Sequence, residues 1–591
     1  MNEPRISDYA LLGDTRTAAL VSRDGSIDWM CAPGFDSAPV FGKVVGGDQG
    51  GSFRLAVDGT LALRRRYVGD SAVLDTEIEA SGGRGSLHEA MPVQVEGSLL
   101  PQSALVRRLT CERGTLNARI CFDPKQGLPG RAPRVSRRHR ALVCEWGALA
   151  LTLQSFPHVE ISPGEEISVE VPAGSDLVLV LAIGDRAPAV FVSHAEARAL
   201  PGRALGWWNR WSEDVRYRGP SRDQVVRSLV TLQLLTFSPS GAPVAAPTTS
   251  LPEEVGGGRN WDYRFSWPRD ASIGLAAFLA LGKPEIAHSF MHWLLHASRL
   301  SRPRLKVLYT LYGNPPPRER EVDGVPGYRG SLPVRVGNEA RVQHQLDVYG
   351  WVVDAAWLLT DAGHDLHAEH WRAVGGFADF AAGAWREPDA GIWEVRGEPR
   401  HYVHSKMMAW LCLDRALRIA QRRSVSSRRT ARWATEKERL RDDVIARGFD
   451  PNLGSYVRSY ESRDLDAALL ILPVLQFDDR PERVQGTIAA IRRELGAGDG
   501  LLYRYRVGDD GLHGREGAFL PCSFWLVQAL ARTGRRAEAA ELFDNLVARA
   551  NDVGLFSEEI DPTSGELLGN FPQAFTHATL VQAATSLSGE D

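Results

Sequence analysis

Residues 271–281 are Ala-Ser-Ile-Gly-Leu-Ala-Ala-Phe-Leu-Ala-Leu, a run that is apolar nearly all round when it is wound into a helix. Such a helix needs protein on every side, so we expect it to be an inner helix. Only Gly282 and Lys283 separate it from a second helical pattern, predicted over residues 284–300. A short link makes two helices antiparallel neighbours, and this helix pair is the unit from which we predict the second part of the fold.

The same rhythm of helices continues from about residue 221 onward. Twelve helical segments are predicted, near residues 221–237, 270–281, 284–300, 347–362, 365–385, 404–422, 428–447, 464–477, 480–495, 519–533, 536–550 and 573–588. Short links alternate with six long ones that are rich in Gly, Pro and aromatic residues, at 238–269, 301–346, 386–403, 448–463, 496–518 and 551–572. This alternation predicts an (α/α)6 barrel whose long loops share one rim, where function concentrates.

The first part of the chain has the pattern of an antiparallel β-sandwich. Asp24-Gly25 and Asp58-Gly59 each lie between two β-rich runs, which predicts two hairpins because type I′ turns need positive φ. Further short runs at 73–79, 116–122 and 177–183 continue the pattern. We therefore expect a β-sandwich domain over residues 1–193, a helical linker over residues 194–220 and an (α/α)6 catalytic barrel over residues 221–591.

Composition limits the class of protein. The 591 residues are 43% hydrophobic and 24% charged with a net charge of −4, which is typical of a soluble protein with more than one domain. Nothing in this balance predicts a nucleic-acid or membrane partner, and no run reaches the roughly 18 apolar residues of a membrane helix. No secretory signal is predicted. Six cysteines without CxxC spacing favour free thiols in a reducing cytoplasm. No cofactor or metal is expected, and a homo-oligomer stays open.

Two glutamates fall in long loops on opposite sides of the predicted ring. Glu394 lies in the glycine-bounded loop Gly391–Gly397, and Glu558 lies in the loop Phe556–Asp561 near the end of the chain. Three helix pairs, half of a six-fold ring, separate them, so we predict that they face each other across a central pocket. Carboxylates about 6.5–9.5 Å apart suit inverting hydrolysis of a glycosidic bond, because a water fits between one carboxylate and the anomeric carbon.

The first long loop carries the densest set of candidate ligands. Residues 259–270 are Arg-Asn-Trp-Asp-Tyr-Arg-Phe-Ser-Trp-Pro-Arg-Asp. Aromatic rings interleaved with Arg and Asp are typical of a sugar site, where rings stack on the sugar and charged groups bind hydroxyls. Asp270 has the alternative of being only the N-cap of the next helix, and both roles are compatible at the rim of a barrel.

Together these motifs resemble family 15 of the glycoside hydrolases, which contains glucoamylases, glucodextranases and some bacterial trehalases. The residues that carry the resemblance are 12–14, 18–29, 260–270, 345–350, 391–397, 400–402, 405–406, 557–561 and 569–575. The resemblance covers nearly the whole chain. It implies a β-sandwich before an (α/α)6 barrel, and an exo-acting enzyme that releases β-glucose from α-glucosides by a single displacement with inversion.

The resemblance also implies roles for individual residues. Glu394 falls on the general acid and Glu558 on the general base. The acid must keep its proton near neutral pH, so its pKa must be raised by apolar walls or a like charge, whereas the base must stay ionised. The expected substrate-binding residues are Tyr263, Trp267, Arg269, Asp270, Asp347, Trp393 and Glu559.

Some features leave the substrate and the class open. Leu332, Trp351 and Pro268 depart from the family pattern, which leaves the aglycone subsite and the substrate undecided. The alternatives are a disaccharide phosphorylase of related layout and a non-catalytic sugar-binding homologue. Glu558 favours the hydrolase, because a phosphorylase uses phosphate as nucleophile and needs no second carboxylate.

Two clusters resemble ligand sites but are expected to be structural. Trp207, Trp208 and Trp211 have the rings to stack on sugars, yet a linker helix packed between two domains explains them better. Three histidines recur every fourth residue on one predicted helix, and no glutamate completes an HExxH pattern, so a packed or surface face is favoured over a metal site. These histidines are His288, His292 and His296.

Overall fold

The computed structural model describes residues 3–93, 103–506 and 514–589. In these residues the first part of the chain is a large antiparallel β-sheet domain and the second part is helical. Residues 507–513, inside the predicted long connection 496–518, lie outside the described part.

Within the described residues, the first part forms a 14-stranded antiparallel sheet. Its strands are β1 (Ala10–Gly13), β2 (Ala18–Val21), β3 (Ser26–Cys31), β4 (Pro39–Phe41), β5 (Ser52–Val57), β6 (Thr60–Tyr67), β7 (Leu74–Ala80), β8 (Gly83–Ala90), β9 (Ser103–Asp123), β10 (Arg134–Arg138), β11 (Ala141–Trp146), β12 (Leu149–Phe156), β13 (Glu166–Pro172) and β14 (Asp176–Asp185). A short helix, α1 (Lys43–Gly46), follows β4.

The long strand β9 holds this domain together. Its first half pairs with β14 on one side and β8 on the other, and its second half pairs with β13 and β5. The main strand order is β1-β2-β3-β5-β9-β14-β12-β11-β10. Strand β9 therefore connects the strands β8 and β14 to the strands β5 and β13.

The two predicted hairpins have different outcomes. Asp24-Gly25 joins β2 to β3, which pair antiparallel as predicted. Asp58-Gly59 also turns the chain, with Gly59 at a φ of +64°, but the hairpin prediction is wrong there. After the turn β6 pairs with the next strand, β7, while β5 pairs with β3 and the distant β9, so the two strands flanking the turn take different partners.

The helices follow the predicted segments closely. They are α2 (His194–Ser212), α3 (Arg222–Leu234), α4 (Pro268–Ala280), α5 (Pro284–Ser298), α6 (Asp347–Asp361), α7 (Ala368–Ala384), α8 (Val403–Arg422), α9 (Arg428–Gly448), α10 (Leu472–Leu475), α11 (Pro481–Leu495), α12 (Leu520–Arg532), α13 (Arg536–Val547) and α14 (Ala574–Ser588).

Short antiparallel strands brace the long loops between these helices. They pair as β15 (Thr236–Phe237) with β16 (Ala242–Pro243), β17 (Thr249–Pro252) with β18 (Asn260–Asp262), β19 (Arg320–Val322) with β20 (Val334–Val336), β21 (Phe449–Asp450) with β22 (Ser455–Tyr456), β23 (Gly496–Gly498) with β24 (Leu501–Leu502), and β25 (Ala518–Phe519) with β26 (Glu559–Ile560) and β27 (Leu567–Leu568).

From α4 onward, every second helix belongs to one series of packed helices, and α14 at the end of this series packs against α4 at its start. Helix α4 packs against α6, α6 against α8, α12 against α14, and α14 returns to α4. A 3-10 segment, Ala467–Ile471, lies with α10 between α8 and α12. The long loops before α4, α8 and α14 carry the residues that the sequence singled out.

One predicted helix is largely replaced by this 3-10 segment. The prediction of an α-helix over residues 464–477 is wrong in extent, since the α-helical part is only α10. Pro473 lies in that stretch and has no backbone N–H to donate, which prevents a continuous run of α-helical bonds. Asp466 caps the 3-10 segment instead, by accepting from the backbone N–H of Ala468 at 2.8 Å.

The β-sheet domain supports the first long loop of the helical part. The indole N–H of Trp29 donates to the carbonyl of Pro247 at 2.7 Å, and the Arg264 guanidinium donates to the carbonyl of Ser37 at 2.8 Å. Arg264 is also buried against Asp262 at 2.7 Å. The loop that leads to α4 is therefore anchored on the β-sheet domain.

All six cysteines, each in the described part of the chain, are free thiols, as predicted. A search of residues 3–93, 103–506 and 514–589 for helices both long and apolar enough to cross a membrane finds none.

Candidate active site

The two glutamates predicted to be catalytic lie on one cavity of about 290 Å³. Residues from the loops before α4, α6, α8, α12 and α14 line it together with the start of α4. Besides Glu394 and Glu558, the predicted residues on its lining are Tyr263, Trp267, Arg269, Asp270 and Trp393. Loops that are far apart in sequence therefore meet at a single concave site.

Glu394 lies between α7 and α8 with a backbone φ of +57°. This left-handed conformation costs a residue with a Cβ about 1–2 kcal/mol, so neighbouring groups must hold it. The indole N–H of Trp267 donates to Glu394 Oε1 at 2.7 Å, and the Arg269 guanidinium lies 3.5 Å from the same oxygen. Burial raises the pKa of Glu394, although Arg269 and the Trp267 hydrogen bond act in the opposite direction.

Glu558 lies between α13 and α14, at the edge of β26. The Tyr263 hydroxyl donates to Glu558 Oε1 at 2.9 Å. Gly569, at a φ of +78°, passes so close that a Cβ there would lie 3.0 Å from Glu558 Cβ, and this approach requires glycine. Burial first, and the Glu253 carboxylate second, raise the pKa of Glu558 to about 8, while Arg504 and the Tyr263 hydrogen bond lower it.

An aromatic pair connects the two glutamates. Tyr263 and Trp267 pack edge to face with ring centroids 5.5 Å apart, and each donates a hydrogen bond to one of the carboxylates. A single stretch of the first long loop therefore positions both Glu394 and Glu558.

Arg269 and Asp270 form the start of α4 beside Glu394. Arg269 Nε donates to Asp270 Oδ1 at 2.8 Å, and another guanidinium N–H donates to the carbonyl of Ile392 at 2.8 Å. Within the described residues, the Asp270 side chain does not cap α4, and Pro268 is accommodated at the first turn, where a missing N–H is not needed. Asp270 therefore keeps its carboxylate at the cavity.

Trp393 closes the wall next to Glu394. Its indole N–H donates to Asp466 Oδ1 at 2.8 Å, and its ring packs edge to face on Phe519 with centroids 5.2 Å apart. Both Trp393 and Phe519 line the cavity. Trp393 and Phe519 thus form an aromatic part of the cavity wall.

Two predicted ligands lie behind the cavity wall. Asp347 is fully buried, and within the described residues neither of its carboxylate oxygens has a hydrogen-bond partner. Burial raises its pKa to about 7, while Arg269 lowers it. Glu559 is also fully buried, where it accepts from the backbone N–H of Gly517 at 2.8 Å and pairs with Arg504 at 3.3 Å. Glu559 therefore reaches the site through Arg504, while Asp347 acts on it through its charge interaction with Arg269.

A buried charged cluster beside Glu558 was not predicted. Arg504 lies within 3.3 Å of carboxylate oxygens of Glu253, Glu516 and Glu559. Arg259 pairs with Glu516 at 2.5 Å. Arg504 lies in the sequence Tyr-Arg-Tyr of a long loop, the same interleaving of rings and charge that marked residues 259–270, so that signal could have found it.

The other singled-out residues lie away from the cavity. Trp208 is fully buried and packs edge to face with Trp207 and Trp211 at centroid distances of 4.8 and 5.4 Å, which fits the packing interpretation. Leu332 is half exposed and Trp351 is buried, and neither is on the cavity lining.

The histidine row lies on the face of α5 that meets the start of α7. The ring centroid of His288 lies 4.9 Å from that of His364, and the centroid of His292 lies 4.9 Å from that of His370. Throughout residues 3–93, 103–506 and 514–589, no group of three or more His, Cys, Asp or Glu side chains is arranged to hold a metal ion.

Known proteins resemble this chain over nearly its full length. The model of "Glycosyl hydrolases family 15" matches residues 219–585, and the model of "Trehalase-like, N-terminal" matches residues 1–186. A trehalase of Mycolicibacterium smegmatis is 35% identical over 98% of this chain and 91% of its own length. A trehalase of Thermoplasma volcanium is 32% identical over 99% of this chain and 94% of its own length.

A solved structure shares the fold. A bacterial glucoamylase crystallised with acarbose superposes with a TM-score of 0.73 at 14% sequence identity, covering 100% of this chain and 96% of its own. Its fold matches the β-sheet domain and the helical domain described above. The motifs of the long loops, two family models and full-length relatives agree, and the chain belongs to family 15 of the glycosyl hydrolases.

Proposed function

We propose that this chain hydrolyses an α-glucosidic bond with inversion, with Glu394 as general acid and Glu558 as general base. The observation that carries the proposal is that both carboxylates line one cavity, each held by a different ring of the Tyr263–Trp267 pair. Inverting hydrolysis needs two such groups, one on each side of the bond that breaks.

The proposed reaction is one displacement. Glu558 takes a proton from a water as the water oxygen bonds to the anomeric carbon. The bond from that carbon to the leaving oxygen breaks, and Glu394 gives its proton to that oxygen. Arg269 and Asp270 bind hydroxyls of the glucose that is released, and Tyr263, Trp267 and Trp393 form the walls around it. Asp347 and Glu559 support Arg269 and Arg504 from behind.

For the substrate we propose trehalose. The named relatives that match over nearly their full length are trehalases. Besides the residues proposed to bind the released glucose, Trp261, Asn338, Glu339 and Arg396 also line the cavity.

A substrate panel tests this proposal. Glucose release is measured on trehalose, maltose, isomaltose, kojibiose and longer glucans, each with and without phosphate. We expect the highest kcat/KM on trehalose, with free glucose as the only product in either buffer. A higher kcat/KM on another disaccharide or on glucans would contradict the substrate. Glucose 1-phosphate formed only when phosphate is present would support the phosphorylase alternative, and sugar binding without turnover would support the non-catalytic one.

We also propose an architecture for this chain. We infer a β-sandwich over residues 1–193, a helical linker over residues 194–220 and an (α/α)6 barrel from residue 221 onward. The closed sequence of contacts among α4, α6, α8, α12 and α14 supports the barrel. Free thiols support a reducing compartment such as the cytoplasm.

A further inference from the structure

The loop that carries Glu394 is held in an uncommon conformation. Glu394 is a non-glycine residue with a φ of +57°, and Gly391 starts the same turn at a φ of +71°. Two backbone bonds close the turn, from Glu394 N–H to the carbonyl of Gly391 at 3.3 Å and from Val395 N–H to the carbonyl of Ala390 at 3.2 Å. Neither of these two bonds uses the carbonyl of Glu394 or that of Val395.

Gln343 supplies a hydrogen-bond partner for both carbonyls. Its side-chain amide nitrogen donates to the carbonyl of Glu394 at 3.1 Å and to that of Val395 at 3.2 Å. An amide group has two N–H donors in one plane, so a single side chain bonds two successive carbonyls. Gln343 comes from a different long loop, directly after the 3-10 helix Glu339–Val342, and it lies on the cavity lining.

A chain of hydrogen bonds continues from Gln343 to the start of α4. Gln343 Oε1 accepts from the Gln345 amide at 3.0 Å, and Gln345 Oε1 accepts from the Arg269 guanidinium at 3.3 Å. Arg269 in turn lies 3.5 Å from Glu394 Oε1. The backbone and the carboxylate of Glu394 are therefore held from two ends of one hydrogen-bonded path.

We propose that Gln343 is a positioning residue for the general acid: it fixes the left-handed turn so that the Glu394 carboxyl points at the leaving oxygen. The inference rests on the proposed function of Glu394. The Gln343 hydrogen bonds join the two loop carbonyls and Gln345, so its effect is on the direction of the carboxyl. A group held about 1 Å from its productive place loses about 100-fold in rate.

The test compares two substrates that differ in their need for an acid. Trehalose must receive a proton on its leaving oxygen, whereas α-glucosyl fluoride releases fluoride with little help from an acid. We expect Gln343→Ala to lower kcat on trehalose about 10- to 100-fold and kcat on the fluoride less than about 3-fold. Equal losses on both substrates, or no loss on trehalose, would overturn the proposal.

Two further variants keep the test decisive. Gln343→Glu has nearly the same shape but no N–H, so it should show the same selective loss even if Gln343→Ala is poorly folded. Gln582→Ala removes another amide-to-carbonyl bond, to Ile273 at 3.2 Å, away from the cavity lining, and should leave both rates unchanged. A loss of similar size in Gln582→Ala would also overturn the proposal.

Glu394→Gln is measured in the same assay to separate two failures. A selective loss on trehalose in Glu394→Gln together with no selectivity in both Gln343 variants would refute the role of Gln343 alone. No selective loss in Glu394→Gln would refute the acid assignment itself, and the role of Gln343 with it.

Discussion

The two walls of the cavity bury a glutamate each but surround it differently. The Glu394 side chain keeps 21% exposure and faces an indole N–H and the guanidinium of Arg269. Glu558 keeps 3% exposure and faces a hydroxyl, with Glu253 and the rest of a carboxylate-rich cluster around Arg504 nearby. Burial raises the pKa of both. Since the pKa of Glu558 is raised to about 8, the expectation that the base stays ionised at neutral pH is not met, and burial alone does not separate an acid from a base.

Replacing each glutamate should give the largest effects and test the contrast directly. Glu394→Gln and Glu558→Gln should each lower kcat on trehalose by about 100- to 10,000-fold, because each removes one proton transfer. On α-glucosyl fluoride only Glu558→Gln should stay severely impaired, since that substrate still needs an activated water. If only Glu394→Gln stayed severely impaired on the fluoride, the two roles would be exchanged. Near-normal activity in either variant would show that its glutamate takes no part in the mechanism.

Replacing Asp270 should give the next largest effect. Its carboxylate lines the cavity, and its charge raises the pKa of both glutamates. We expect Asp270→Ala to weaken inhibition by glucose about 10- to 100-fold, since a charged hydrogen bond to a hydroxyl is lost. Inhibition constants from steady-state kinetics measure this change. Asp361→Ala, which removes an exposed pair with Arg422, is the matched control and should have no effect. Unchanged glucose inhibition in Asp270→Ala would leave Asp270 without a binding role.

Glu253 should give a smaller effect that appears in the pH profile. Its negative charge raises the pKa of Glu558, so Glu253→Gln should lower that pKa. The base is active when ionised, and activity is therefore lost as the pH falls through its pKa. We expect the acidic limb of kcat/KM to move to lower pH by roughly one unit in the variant. The neighbouring change Glu254→Gln should not move this limb, and a shift to higher pH in Glu253→Gln would contradict the charge argument.

The helical part was predictable because its signals are local. Runs such as residues 271–281 predict both a helix and its burial. The spacing of the long loops predicted that Glu394 and Glu558 lie at one site. The strand before Asp58-Gly59, β5, pairs with the distant β9, which no local pattern shows, and this is why the dipeptide predicted a turn correctly and a hairpin wrongly. Glu253 and Arg504 meet across 251 residues of sequence, so no local pattern joins them. The left-handed backbone conformation of Glu394 could not be predicted from the sequence either, because glutamate has no preference for positive φ.

The anomers of the glucose first released from trehalose test the central claim most directly. Inversion by Glu394 and Glu558 converts the attacked glucose to the β-anomer and leaves the other as the α-anomer. Proton NMR recorded before the anomers interconvert should therefore show α- and β-glucose in equal amounts from the first turnovers. Release of α-glucose alone would mean retention, and would contradict the single displacement between these two carboxylates.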